Sequence, residues 1–248
     1  MTSNQNERKF PEEGQKGVKE NENKEENVIQ FIYNKFNELK GQYEIIPKVK
    51  DERKTKELDD NGIKVKQRNK TLETFKIIKQ LEEWIEKRIN DILFDSDIDG
   101  WNITTSVFDQ RLMNKENLII LIKDTEDNLF GGYVHSKIDK IDEWINDPNS
   151  FLFSLKIKGR IKGMKKFDIE DSEYAIYIFK RTDDSLFSFG YSGIFGCLSD
   201  IFVYKENNKT NSYCYQETFE YKGIENALCG KQHPHCFIPK QIVVVEMK

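Results

Sequence analysis

Long apolar runs are missing from this 248-residue chain. The longest clean aliphatic stretch is Leu118–Ile122, far below the ~20 residues a spanning helix requires, so membrane insertion is not expected. The N-terminal MTSNQNERKFPEEGQK lacks the basic-then-apolar order of a secretory signal. Cysteine is scarce: four residues, all after position 196, too few and too scattered for a disulfide framework. Without an export signal they are expected as thiols in a reducing compartment, and the expected location is cytoplasmic. Charge of one sign is also missing. The 39 basic and 43 acidic side chains are interspersed and leave a net charge of −4, which argues against a nucleic-acid footprint. There is no Cys-x-x-Cys pair. The glycines of Gly190-Tyr-Ser-Gly193-Ile-Phe-Gly196 lack the Gly-Lys-Ser/Thr ending of a phosphate loop.

What is present is charge: 33% of residues against 37% apolar, compared with about 25% charged in an average domain. The excess is uneven. Residues 1–25 hold only Phe10 and Val18 as large apolar side chains after Met1, too few to offset chain entropy, and read as a disordered tail. Residues 26–93 read as a helical or coiled-coil segment with a mobile linker. Val28, Phe31, Ile32, Phe36 and Leu39 share one helical face. After Thr71, a plausible N-cap, Leu72, Phe75, Ile78, Leu81, Ile85, Ile89 and Ile92 recur at steps of three and four. This Leu72–Ile92 stripe either pairs chains as a coiled coil or docks on the chain's own globular part or on the Val28–Leu39 helix, and three heptads do not decide between them.

Asp95, Asp97 and Asp99 with Gly100 imitate the start of a calcium loop, but position twelve is Ser106, not the bidentate Glu. From Trp101 onward aromatic and β-branched runs alternate with turn residues. Strands are expected at Leu118–Lys123, Asn128–Tyr133, Phe151–Ile157, Tyr174–Phe179, Leu186–Phe189, Ile201–Tyr204, Ser212–Tyr215 and Ile242–Met247. Asp124–Asp127 would close a hairpin. Ile138, Ile141, Trp144 and Ile145 suggest a short amphipathic helix stopped at Asp147-Pro148. Both faces of Tyr174–Phe179 look apolar, as in a buried strand. The expected fold is mainly β (α+β): a two-sheet antiparallel sandwich with short flanking helices, spanning residues 94–248.

Few residues invite chemistry. Cys229, His233, His235 and Cys236 have the donor types for zinc, yet one loop would have to fold all four inward. Cys214, Cys229 and Cys236 raise the question of thiol chemistry, which needs exposure and a lowered pKa. Glu246 follows three valines and reads either as a satisfied structural carboxylate or as a functional one. Gly131-Gly132 reads as a packing device within a strand or as a close-approach site for a ligand.

The blocks FGGY, a Trp-bearing segment, FLFSL, FSFG, DIFVY and a closing VVVE, in that order, resemble the TLDc domain of the oxidation-resistance proteins and their relatives. The look of VFDQRLMNKENL and of ALCGKQHPHCFIPKQIVVVEMK is similar to TLDc proteins of amoebal protists with a helical segment in front. The resemblance implies a β-sandwich, protection against oxidative stress and, in several members, binding to the vacuolar proton-pumping ATPase. It implies no catalytic residue, metal or cofactor. The positions matching the family pattern are Phe130, Gly131, Gly132, Trp144, Phe151, Phe153, Gly190, Asp200 and Glu246. The expected function is a non-enzymatic interaction protein. The alternatives are a thiol- or carboxylate-dependent enzyme in stress defence and a coiled-coil structural adaptor self-associating through Leu72–Ile92.

Overall fold

The computed structural model describes residues 75–157, 163–193, 198–230 and 236–248. Expectations that fall on residues 1–74, on His233 and on His235 lie outside the described residues.

The chain is mainly β, with two antiparallel sheets. Strands β1 (Ile89–Asp95), β2 (Leu118–Asp124), β3 (Leu129–Val134), β5 (Phe151–Lys156), β6 (Lys165–Asp168) and β10 (Pro239–Met247) form a six-stranded sheet in the order β1-β10-β2-β3-β5-β6. Strands β4 (Trp144–Ile145), β7 (Ile176–Ile178), β8 (Ser185–Phe189) and β9 (Ile201–Tyr204) form a four-stranded sheet in that order. A helix, α1, occupies residues 75–85, and a one-turn helix, α2, spans Phe108–Leu112.

The large sheet is buried on both faces, which explains its nearly continuous apolar strands. Leu118, Ile120 and Ile122 of β2 and Ile242 and Val244 of β10 point towards the small sheet, against Ile176, Ile178, Phe187, Phe189, Ile201 and Val203. The alternate residues Ile119, Leu121, Val243 and Val245 face the other way, under Ile77, Leu81 and Ile85 of α1. The helix covers the outer face of one sheet. Among the described residues nothing covers the outer face of the other.

Three expectations change. The Leu72–Ile92 helix does not continue to Ile92. Glu86 adopts a left-handed φ of 57° and its N–H closes the last turn on the Glu82 carbonyl at 2.8 Å. Arg88 then exchanges two 2.8 Å backbone hydrogen bonds with Lys248, opening β1 beside β10. Ile89 and Ile92 kept the helical spacing because β1 carries a bulge between Ile89 and Asp91. The extra residue places side chains three apart on one face of a strand, and both pack into the cluster beneath α1.

The segment around Trp144 is a strand, not a helix. Its backbone donors are met from neighbouring elements: Ile138 N–H by Lys115 O, and Asp142 N–H by Ile178 O. Trp144 and Ile145 pair with Tyr177 and Ile176. Asp147, expected to stop a helix, is instead a buried clamp accepting from the N–H groups of His135 (2.6 Å), Ser136 and Asn149. Ser212–Tyr215 is not a regular strand; Tyr213 makes isolated bridges to Phe202 and Cys236.

Candidate functional site

The positions expected from the sequence separate into two groups by depth. Most lie inside the fold and explain themselves as packing. Phe130 meets Phe237 edge-on in the inter-sheet core, while Phe151 and Phe153 lie beneath α1. A Cβ on Gly131 would stand 1.9 Å from the Ile120 carbonyl oxygen, and one on Gly132 would stand 2.5 Å from the Phe189 ring. Both glycines therefore let the sheet and its neighbours close up, and neither opens towards solvent.

Gly190 and Asp200 work as a pair. Gly190 has φ +70°, and a Cβ there would stand 2.1 Å from Asp200 Oδ2. Asp200 is fully buried. It accepts from Glu217 N–H (3.0 Å), from Thr218 N–H (3.0 Å to Oδ2) and from the Tyr221 hydroxyl (2.6 Å). Burial pushes its carboxyl up to about 6 despite these donors. The arrangement ties the start of β9 to the 217–221 segment inside the fold.

Glu246 is 8% exposed at the end of β10. Asn90 Nδ2 donates to its Oε2 at 2.7 Å, Lys115 Nζ donates to its Oε1 at 3.3 Å, and Lys248 lies 3.8 Å away. Its charge is thus met from β1 and from the loop before β2. Two of the three carboxylates of the calcium-like loop are engaged in the same way. Asp95 accepts from Asp97 N–H and Gln241 Nε2, and Asp99 accepts from Asp95 N–H and pairs with Arg111.

Of the proposed thiols, Cys214 and Cys229 are buried at 5% and 2% exposure and lie against each other. Burial and the neighbouring Cys229 push the Cys214 thiol well above its ordinary value, opposite to what thiolate chemistry needs. Cys236 is half-buried.

Trp144 is different. It stands half-buried on the outer face of the four-stranded sheet, which nothing among the described residues covers, in a continuous set of rings. It touches Tyr174, Tyr177 and Tyr191 at centroid distances of 5.5, 5.2 and 5.7 Å. Tyr177 meets Phe179 at 4.5 Å, and Phe179 meets Phe202 at 5.4 Å. Phe202 in turn meets Tyr204 at 5.0 Å and stacks on Tyr213 at 5.2 Å with 5° between planes. All eight rings are partly exposed.

Strand register creates this surface. Trp144 opposes Tyr177, Tyr177 opposes Ser188, Ser188 opposes Phe202, and Phe202 opposes Tyr213. One outward row thus crosses the sheet, with a small, buried serine at its centre. Tyr174–Phe179 is accordingly not buried on both faces: Ile176 and Ile178 face the core, while Tyr177 faces out.

The rim beside Phe179 is held by Lys205. This lysine is 2% exposed, and its ammonium donates to the carbonyls of Lys180 (3.0 Å), Arg181 (2.8 Å) and Asp183 (2.5 Å). It fixes the β7–β8 turn from inside, so the rings sit on a rigid support. Tyr177, Phe179, Phe202, Tyr204 and Tyr213 were not singled out from the sequence. The available signal was the alternation of aliphatic and aromatic residues in Ile176–Phe179 and Ile201–Tyr204.

Among the described residues no group of three or more His, Cys, Asp or Glu side chains converges as a metal site, and no helix is long and apolar enough to cross a membrane. No curated protein matches the chain. A comparison with known protein families matches residues 66–242 to the TLDc domain. That span covers well over half of the chain and includes α1, the four-stranded sheet with its aromatic row and all but the end of the six-stranded sheet, so this protein belongs to the TLDc domain family.

Proposed function

We propose that this chain is a non-enzymatic TLDc interaction protein that serves oxidative-stress protection through a protein partner, with subunits of the vacuolar proton-pumping ATPase as the partner that its family resemblance suggests. The observation that supports a binding role is the ring-covered outer face of the four-stranded sheet. Contiguous, partly exposed aromatic surface of this kind fits the aromatic enrichment of protein interfaces. Tyr and Trp anchors on a rigid sheet lose little conformational entropy on binding. The carboxylates Asp200 and Glu246 are engaged by protein donors, which fits a structural role for both.

The test mixes full-length protein with vesicles carrying purified vacuolar-type ATPase, with ATP, with ADP and without nucleotide. Co-sedimentation and a changed rate of proton pumping are expected. Both should be lost in a Trp144→Ser/Phe202→Ser double variant that retains the wild-type circular dichroism spectrum. Equal pelleting with and without the ATPase under all three conditions would overturn the pump as partner.

A further inference from the structure

We infer that the aromatic face takes a basic segment of its protein partner, with an arginine seated at the corner formed by Trp144, Tyr174 and Tyr191. The inference rests on the reading of that face as a binding surface and adds the chemistry of what binds.

The charge beside this corner is the first observation. Two segments pair there. Ile169 bridges Phe219, Glu170 N–H donates to the Thr218 carbonyl at 3.0 Å, and Glu220 N–H donates to the Asp168 carbonyl at 2.9 Å. Residues 168–173 and 217–220 carry Asp168, Glu170, Asp171, Glu173, Glu217 and Glu220 and no Lys or Arg. All six acidic residues are exposed. Acids and bases nearly balance over the whole chain, 43 to 39, so this excess is local. Among the described residues only Asp168 of the six has an ion pair, with Lys166 at 2.8 Å.

The second observation is that backbone bonds hold this acidic ledge against the rings. Tyr174 directly follows Glu173 in a short turn that Asp171 caps, accepting from Glu173 N–H at 3.2 Å. Tyr191 N–H donates to Thr218 Oγ1 at 3.0 Å, next to Glu217. Gly190 N–H donates to the Tyr174 carbonyl at 3.0 Å. Tyr174 and Tyr191 meet at 5.2 Å, and both touch Trp144.

The β4 side of the ring set differs. There Asp142 already pairs with Lys180 at 2.8 Å and Glu143 with Lys140 at 3.2 Å. The charge that a partner can meet therefore lies on the Tyr174 and Tyr191 side.

Arginine fits both halves of this corner. The negative face of an aromatic ring attracts a cation. A guanidinium stacks on a ring while its fork donates to a neighbouring carboxylate. A wholly apolar partner would take carboxylates out of water without a counter-charge, and an acidic one would be repelled.

The experiment pans immobilised full-length protein against displayed random peptides. Enriched sequences are expected to carry arginine beside an aromatic or aliphatic residue. The most enriched peptide is then synthesised and its affinity measured by fluorescence anisotropy. Glu173→Lys/Glu217→Lys and Trp144→Ser should each weaken it about tenfold. Glu116→Lys/Glu126→Lys, an equal change of net charge elsewhere, should leave it within about twofold, and added salt should weaken wild-type binding. The same peptide with its arginines changed to glutamate should bind Glu173→Lys/Glu217→Lys more tightly than wild type, which a misfolded variant would not do.

No enrichment, enriched peptides without basic residues, or equal weakening by the two charge-reversed pairs would overturn the inference. The outcome is separable from the pump assay. Arginine peptides that need Glu173 and Glu217, in a protein that does not bind the pump, remove the proposed partner and leave the site. Pump binding that Glu173→Lys/Glu217→Lys leaves unchanged, without arginine enrichment, does the reverse.

Discussion

Replacing Asp200 by Asn should change how stability depends on pH, not merely how large it is. In the folded protein the Asp200 carboxyl is raised by burial to about 6, from an ordinary 3.8, while its donors Tyr221 OH, Glu217 N–H and Thr218 N–H hold the value down. An acid whose pKa is higher in the folded state binds more protons there than in the unfolded chain. Stability therefore falls as pH rises between about 4 and about 6, and is level with respect to this group on either side. A gap of about two pH units corresponds to about 3 kcal/mol. Asn carries no charge at any of these pH values. The wild type should thus exceed Asp200→Asn in unfolding free energy by about 2 kcal/mol more at pH 4 than at pH 7, because the unfolded carboxyl is already partly ionised at pH 4. A constant offset of about 1–3 kcal/mol is also expected, because the Asn amide must present N–H to donors that formerly faced oxygen. Asp124 and Asp97, likewise raised by burial, are present in both proteins and cancel in the difference. Urea unfolding followed by tryptophan fluorescence at pH 4.0, 5.0, 6.0 and 7.0, at fixed ionic strength, gives the two curves. Parallel curves would refute the reasoning, and so would an advantage of the wild type that grows with pH.

Gly131→Ala should cost about 3 kcal/mol or more, since the new methyl group meets a backbone carbonyl in the middle of the sheet and not a movable side chain. A melting temperature within a degree of wild type would contradict the close approach. Lys205→Met should destabilise by about 2–4 kcal/mol, because three carbonyls lose a charged donor. The β7–β8 turn should then show faster hydrogen exchange, and unchanged exchange at residues 180–184 would rule out the clamp. Native alkylation with iodoacetamide should modify Cys236 well before Cys214 and Cys229, which should react only on unfolding, given their 5% and 2% exposure. Rapid native labelling of Cys214 or Cys229, read by peptide mapping, would restore a thiol mechanism.

Legibility from the sequence followed the number of faces an element buries. The strands β2, β8, β9 and β10 carry long apolar or aromatic runs, and the expected positions lie within a few residues of the observed ones. The sandwich follows from them. Elements whose conformation is set by a neighbour and not by their own apolar run were not legible. Strand β1 hides in an apparent helical stripe because its bulge restores a three-residue step. The end of α1 is marked by Glu86 at positive φ, where a glycine would have been the visible signal. Strand β4 is two residues long and exists only because β7 lies beside it.

The candidate surface was hidden for a related reason. Ile176–Phe179 and Ile201–Tyr204 are apolar on both sides of the strand, and hydrophobicity alone equates an outward tyrosine with an inward isoleucine. The distinction lies in shape: aliphatic residues occupy the core-facing positions and rings the outward ones. A sheet that needed only solubility would place charged side chains outside. Rings on that row, with a serine at their centre and a buried lysine bracing their rim, leave apolar area partly exposed at a cost in free energy. A surface kept in that form is best explained by something that covers it.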